Sequence, residues 1–127
     1  YISYVSSHAI VLTEDIGENC FILEDNTIQP FVTIGDNVVL WSGNHIGHHS
    51  TIHSHVFFTS HVVLSGHCEV KEHCFIGVNA AIRDSVVLEE GSLVAMGAVI
   101  TRSTEAWDVY LGNPAKPMGR NSLEVYK

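Results

Sequence analysis

Every sixth residue from Ile10 to Ile100 is apolar. The run is Ile10, Ile16, Ile22, Ile28, Ile34, Leu40, Ile46, Ile52, Phe58, Leu64, Val70, Ile76, Ile82, Leu88, Val94 and Ile100. A period of six fits neither the 3.6-residue turn of an α-helix nor the two-residue alternation of an isolated strand. It predicts a single-stranded parallel β-helix, in which each hexapeptide contributes one short strand and one corner. Three hexapeptides close a triangular coil, so residues eighteen apart become vertical neighbours at about 4.8 Å. Ile10 to Ile100 then makes about five coils.

With the apolar residue as position one, the other slots acquire meanings. Position two is often glycine, as at Gly17, Gly35, Gly47 and Gly77, which predicts a corner needing glycine's backbone freedom. Position five is small and predicted to face inward. It holds Cys20, Cys68 and Cys74, and also Asn26 and Asn44, which are eighteen apart and placed to stack as an amide ladder. Cysteines used as small core residues, with no CxxC pair, imply a reducing, cytoplasmic compartment and neither disulfide nor zinc.

Tyr1 to Ala9 is expected to begin the first coil. After Ile100 the period stops: Thr101 to Asp108 reads as a polar turn, Leu111 to Lys116 as an extended, proline-stiffened segment, and Arg120 to Lys127 as a short helix or strand. The expected division is residues 1–102 as β-helix and 103–127 as a C-terminal extension. No apolar run approaches the ~18 residues of a membrane span. The sequence starts at Tyr1 without Met, which fits a processed chain or a domain whose N-terminal part is missing.

A net charge of −8 argues against nucleic acid as a partner, because phosphate backbones need a clustered basic surface. The cations Arg83, Arg102, Lys116, Arg120 and Lys127 nevertheless fall late in the chain, with only Lys71 before them. Scattered solubilising charge and a local phosphate site remain equally open.

Eight of nine histidines lie between His45 and His73, and none takes an inward slot. His49, His55, His61, His67 and His73 occupy position four, His48 position three, His53 position two and His45 position six. Outward imidazoles can be general bases, metal ligands or solvated corner residues, and for most of the eight the last is the expectation.

The ladder, the segments Ile46-Gly47-His48-His49-Ser50-Thr51-Ile52 and Cys74-Phe75-Ile76-Gly77-Val78-Asn79-Ala80, and the Gly112–Lys116 stretch together resemble bacterial hexapeptide-repeat sugar O- and N-acyltransferases. The group most resembled acetylates sialic acid or nucleotide-linked amino sugars. The resemblance implies a left-handed coil and a homotrimer with acetyl-CoA as cosubstrate in the groove between prisms. It also implies a histidine base acting on a sugar amine or hydroxyl.

The family's base pattern falls on His48, and its acidic partner position falls on His49, a departure. A cofactor-contacting histidine of the family falls on Phe57, another departure. His61 or His45 is the alternative base. Coenzyme-contacting positions fall on Val78, Asn79, Met96, Gly97, Ala98 and Lys116. The amides at Gly97 and Ala98 are expected to stabilise the thioester oxyanion. Family members often carry an N-terminal sugar-nucleotide-binding domain outside the region of resemblance, so the acceptor sugar stays open.

Two rival readings remain. Ile46-Gly47-His48 followed by His53 also resembles the paired histidines of γ-class carbonic anhydrases, on the same scaffold with zinc between subunits. That family's third ligand falls near Leu12, where no histidine stands, so the preferred reading assigns no metal ligand. The other rival is a non-catalytic β-helix assembly module, since fold alone never proves function.

Overall fold

The computed structural model describes residues 2–125; Tyr1, Tyr126 and Lys127 lie outside the described residues. Sixteen two-residue strands follow one another from Tyr4–Val5 to Val99–Ile100. They sort into three parallel sheets, the faces of a triangular prism. The first face stacks Tyr4–Val5, Phe21–Ile22, Val39–Leu40, Phe57–Phe58, Phe75–Ile76 and Leu93–Val94. The second runs from Ile10–Val11 through His45–Ile46 to Val99–Ile100. The third stacks Thr33–Ile34, Thr51–Ile52, Glu69–Val70 and Val87–Leu88. The chain is all-β, a parallel β-helix, with only a 3₁₀ turn at Ser122–Glu124 among the described residues.

Alternation within each strand explains the period. In a two-residue strand one side chain points in and the other out. Position one is the inward residue, and from Ile22 to Ile100 every one is at most 2% exposed. Position five is also inward: Cys20, Val32, Val38, Val56, Val62, Cys68, Cys74, Ala80 and Ala98 line the core. Burial pushes the Cys74 thiol up to about 12 and also raises that of Cys68, which leaves both as inert core groups.

Ile10 departs from the expected pattern. It is 58% exposed, and its strand partner is Thr27, so Val11 is the inward residue opposite Ile28. Tyr4 likewise pairs with Phe21 and Val5 with Ile22. The first coil is thus one residue shorter than the regular eighteen-residue coils. Ile10 matches the period only because two apolar residues stand side by side.

The corners also differ from expectation. Position four, not position two, is left-handed: all fourteen such residues from Asn19 to Gly97 have φ between 56° and 72°. The position-two glycines answer a steric need instead. A Cβ on Gly47 would stand 2.6 Å from the Gly66 nitrogen, and one on Gly77 2.5 Å from the Met96 nitrogen. The coil above passes too close for any side chain.

Asn26 and Asn44 bond backbone rather than each other's amides. The Asn44 N–H donates to Asn26 Oδ1 (3.1 Å), and the Val62 N–H donates to Asn44 Oδ1 (2.9 Å). Asn44 Nδ2 donates to the Thr59 carbonyl at 2.8 Å. Each buried amide thereby replaces the turn hydrogen bonds of its own corner and ties it to the next coil.

Beyond Ile100 the coil shortens and then continues. Leu93 pairs with Val109 and Val94 with Tyr110, sixteen residues on rather than eighteen. Ser103 and Thr104 hydroxyls accept the Val87 and Glu89 N–H groups, closing the third face without a strand. Tyr110 turns inward, 6% exposed, and its hydroxyl accepts from the Glu105 N–H at 2.7 Å, plugging the end of the core. The segment expected to be extended is a turn between Asp108–Leu111 and the antiparallel strand Lys116–Asn121. Inside it, Gly112 and Ala115 bond Val99 on the second face.

Replacing Asn44 by the isosteric leucine orphans the Val62 N–H and the Thr59 carbonyl in the core. The variant is expected to lose about 2–4 kcal/mol of unfolding free energy in chemical denaturation, against near-neutrality if the amide were merely filling space.

Candidate active site

Two corners of the prism carry most of the residues expected to be functional. The second corner joins the second face to the third. Here His48 and His49 follow Ile46 and Gly47, one coil above Gly66 and His67. The left-handed backbone at His49 and His67 (φ 59° and 58°) sets their rings in a vertical stack, 4.7 Å between centroids and 9° from parallel. Phe31 stacks on the other side of His49 at 4.8 Å. His48 crosses both imidazoles nearly at right angles, and its Nδ1 lies 3.0 Å from His49 Nδ1.

Backbone bonds hold this corner in place. The His48 N–H donates to Gln29 Oε1 (2.9 Å), and the His67 N–H donates to the His48 carbonyl (2.9 Å). The His48 ring lies in space that a side chain at 66 would fill: a Cβ on Gly66 would stand 2.9 Å from His48 Nε2.

Two imidazole lone pairs cannot face each other at 3.0 Å, so one of the two Nδ1 atoms carries a proton. With the proton on His48, its Nδ1–H donates to His49 and Nε2 keeps a free lone pair. This reproduces the orientation that an acidic partner would give, with an imidazole in place of the carboxylate.

The first corner, between the first and second faces, holds most of the other expected residues. His61, Asn79 and Gly97 share its left-handed column with Gly43. A Cβ on Gly43 would stand 2.5 Å from His61 Nδ1, so this ring too lies over a glycine. Met96 is 73% exposed beside Gly97. Val78 is half-buried and Ala98 buried.

The Gly97 and Ala98 amides do not form the expected oxyanion site. They donate to the Val78 carbonyl (2.8 Å) and the Ala95 carbonyl (3.1 Å). Both are consumed by the coil itself.

The remaining residues lie elsewhere. His45 projects from the middle of the second face between Thr27 and Val63. Phe57 projects from the first face, stacked between Trp41 and Phe75, and lines a hollow of about 600 Å³ with His55, His73 and Trp107. Lys116 and Arg102 face a hollow of about 550 Å³ at the C-terminal end, with Glu105 and Asp108. Lys71 and Arg83, by contrast, pair with Glu89 and Asp84. Within one chain, His48 and His49 therefore occupy a different corner from His61, Val78, Asn79, Met96, Gly97 and Ala98.

One pairing escaped the sequence reading. His53 Nε2 lies 2.7 Å from Glu69 Oε2 on the third face. The two are sixteen residues apart, off the eighteen-residue register, so the repeat gives no sign of the contact. The contact leaves His53 Nδ1 as the ring nitrogen not engaged by Glu69.

Two family models match the sequence. That described as "Bacterial transferase hexapeptide (six repeats)" covers residues 15–48, and "Hexapeptide repeat of succinyl-transferase" covers residues 70–102. No curated protein sequence matches. Among solved structures, perosamine N-acetyltransferase from Caulobacter crescentus, in complex with CoA and GDP-perosamine, superposes with a TM-score of 0.90 at 22% identity, covering 94% of this chain and 57% of that one. WeeI from Acinetobacter baumannii gives a TM-score of 0.86 at 26% identity, covering 92% and 58%. The acetyltransferase domain of PglB from Neisseria gonorrhoeae, in complex with acetyl coenzyme A, gives 0.80 at 26%, covering 91% and 54%. This chain thus spans a little over half the length of these solved chains.

The void above Gly66 supplies a direct check on the second corner. Gly66→Ala is expected to retain the fold, since the obstructed atoms belong to a rotatable side chain, while displacing the His48 ring. Imidazole NMR signals of His48 should move and the rest of the amide spectrum should stay in place; unmoved His48 signals would contradict the geometry.

Proposed function

We propose that this chain, a hexapeptide-repeat β-helix protein, transfers an acetyl group from acetyl-CoA to a sugar, most simply to the amino group of a nucleotide-linked sugar. The observation that carries the reading is the His48–His49 contact. It orients one imidazole through Nδ1 and leaves Nε2 as base, on a scaffold shared with a solved perosamine N-acetyltransferase in complex with CoA and GDP-perosamine.

In the proposed reaction the acceptor nitrogen attacks the thioester carbonyl, forming the C–N bond. His48 Nε2 takes the proton that the amine must lose. The imidazolium so formed keeps its Nδ1–H on the lone pair of His49. Collapse of the tetrahedral intermediate breaks the C–S bond, and the thiolate leaves as CoA thiol with the proton from His48. Oxyanion donors at the first corner must come from groups other than the Gly97 and Ala98 amides; the exposed Asn79 carboxamide is one.

The separation of the two corners shapes the assembly we propose. A homotrimer that packs the second corner of one prism against the first corner of the next joins His48 and His49 to the column of His61, Val78, Asn79, Met96 and Gly97. The coenzyme lies in that groove, with its phosphates towards Lys116 and Arg102 at the C-terminal end. With a β-helix over 1–102 and an extension over 103–127, the reacting corners then belong to the β-helix, and the coenzyme's anionic end lies where the two parts join. No helix among the described residues is long and apolar enough to cross a membrane. With three free, buried cysteines, we place the protein in the cytoplasm.

His48→Ala is expected to lower transfer by about 10²–10⁴-fold, while acetyl-CoA affinity by calorimetry stays within a few-fold. Unchanged turnover across a panel of nucleotide-linked amino sugars would instead point to His61, His45 or His53. Co-expressing His48→Ala with Met96→Glu tests the shared site. Random assortment around a cyclic trimer leaves about a quarter of the sites with both corners intact, so activity should reappear at roughly that level. No recovery would place each site within one chain.

A further inference from the structure

We propose that the second corner is also a transition-metal site, in which His48, His49 and His67 together bind one zinc-class divalent ion and leave a coordination position open. Among the described residues these three are the group of potential ligands whose donor atoms all lie within 4.8 Å of one another. A tetrahedral zinc with Zn–N of about 2.0–2.1 Å needs ligand nitrogens roughly 3.3 Å apart. His48 Nδ1 and His49 Nδ1, at 3.0 Å, already meet that spacing. His67 is exposed, so a rotation of its ring is enough to bring the third nitrogen in.

The corner is built to keep the three together. The His49 and His67 backbones are fixed in the left-handed conformation, and the His67 N–H is bonded to the His48 carbonyl. Gly66 leaves the room that the His48 ring occupies. Little backbone order therefore remains to be gained on binding, which favours affinity. Three neutral imidazoles suit zinc, copper or nickel rather than magnesium or calcium. The chain's net charge of −8 raises the local concentration of cations.

The proton between the two Nδ1 atoms decides the chemistry of binding. An ion that takes both lone pairs must displace that proton to solvent or to the far nitrogen of a ring. When His48 binds through Nδ1, its Nε2 carries the proton and no longer has a lone pair. A bound ion therefore switches off the base of the proposed transfer. This consequence rests on that reading, whereas the binding itself does not. The ligand set also differs from the His48–His53 pair of the carbonic anhydrase resemblance, with His49 and His67 in place of His53.

The test is titration of the chelator-treated full chain with Zn²⁺ by calorimetry, and with Co²⁺ by its visible absorption. One ion per chain is expected, with Co²⁺ bands of a low-symmetry nitrogen site. His67→Asn and His49→Asn should each weaken binding at least tenfold; asparagine keeps the left-handed corner comfortable, and an unchanged melting curve checks the fold. His73→Asn, which alters the stacked His55–His73 pair, should bind as the parent does. Absence of saturable binding, affinity unchanged from the parent in both corner variants, or loss in His73→Asn would each overturn the site. Absence of acetyl transfer by the metal-free parent chain, with metal binding intact, would overturn the function proposed above and leave the site standing.

Discussion

A left-handed residue at the fourth position of each hexapeptide holds this structure together. With φ near +60° at fourteen successive corners, the chain turns far enough every six residues to lay the next strand on the adjacent face. Everything else follows from that turn. Strands of two residues are too short to persist alone, but each is bonded above and below. The inward side chains then form continuous columns from Ile22 to Ile100.

The same constraint explains much of the histidine content. Asparagine, aspartate and histidine tolerate the left-handed region better than other side chains, and five histidines stand at the fourth position between His49 and His73. His55 and His73 form a polar stack with Asn19 and Asn37 along the third corner, a structural role with no chemistry required of it. His48 is different. It stands at the third position, where the backbone asks nothing of an imidazole, and its ring occupies space left by a glycine one coil away. A residue whose presence the fold does not explain is the better candidate for a functional one.

The ladder made the architecture, the buried cysteines and the outward histidines legible before any coordinates. It misplaced what depends on pairing between coils. Ile10 and Val11 are both apolar, so only the pairing of Ile10 with Thr27 shows that the first coil is a residue short. The glycines at position two looked conformational, and the reason for them lies in the backbone of the neighbouring coil. The Gly97 and Ala98 amides looked available because a sequence does not show which carbonyls face them. The His53–Glu69 contact runs diagonally across a face, off the period altogether. The shortened turn before Tyr110 hid the last rung in the same way.

Two corners, each with part of the machinery, have to meet for the proposed transfer to occur. In one prism they do not; in the proposed trimer the groove between copies would be the meeting place. The most direct measurement is a crystal structure of the assembled protein with CoA. The account predicts the thiol sulfur at the first corner of one copy, beside Asn79 and Gly97, and within reach of His48 Nε2 from its neighbour. A sulfur lying instead against His53 and Glu69, or against histidines of the same copy alone, would contradict it.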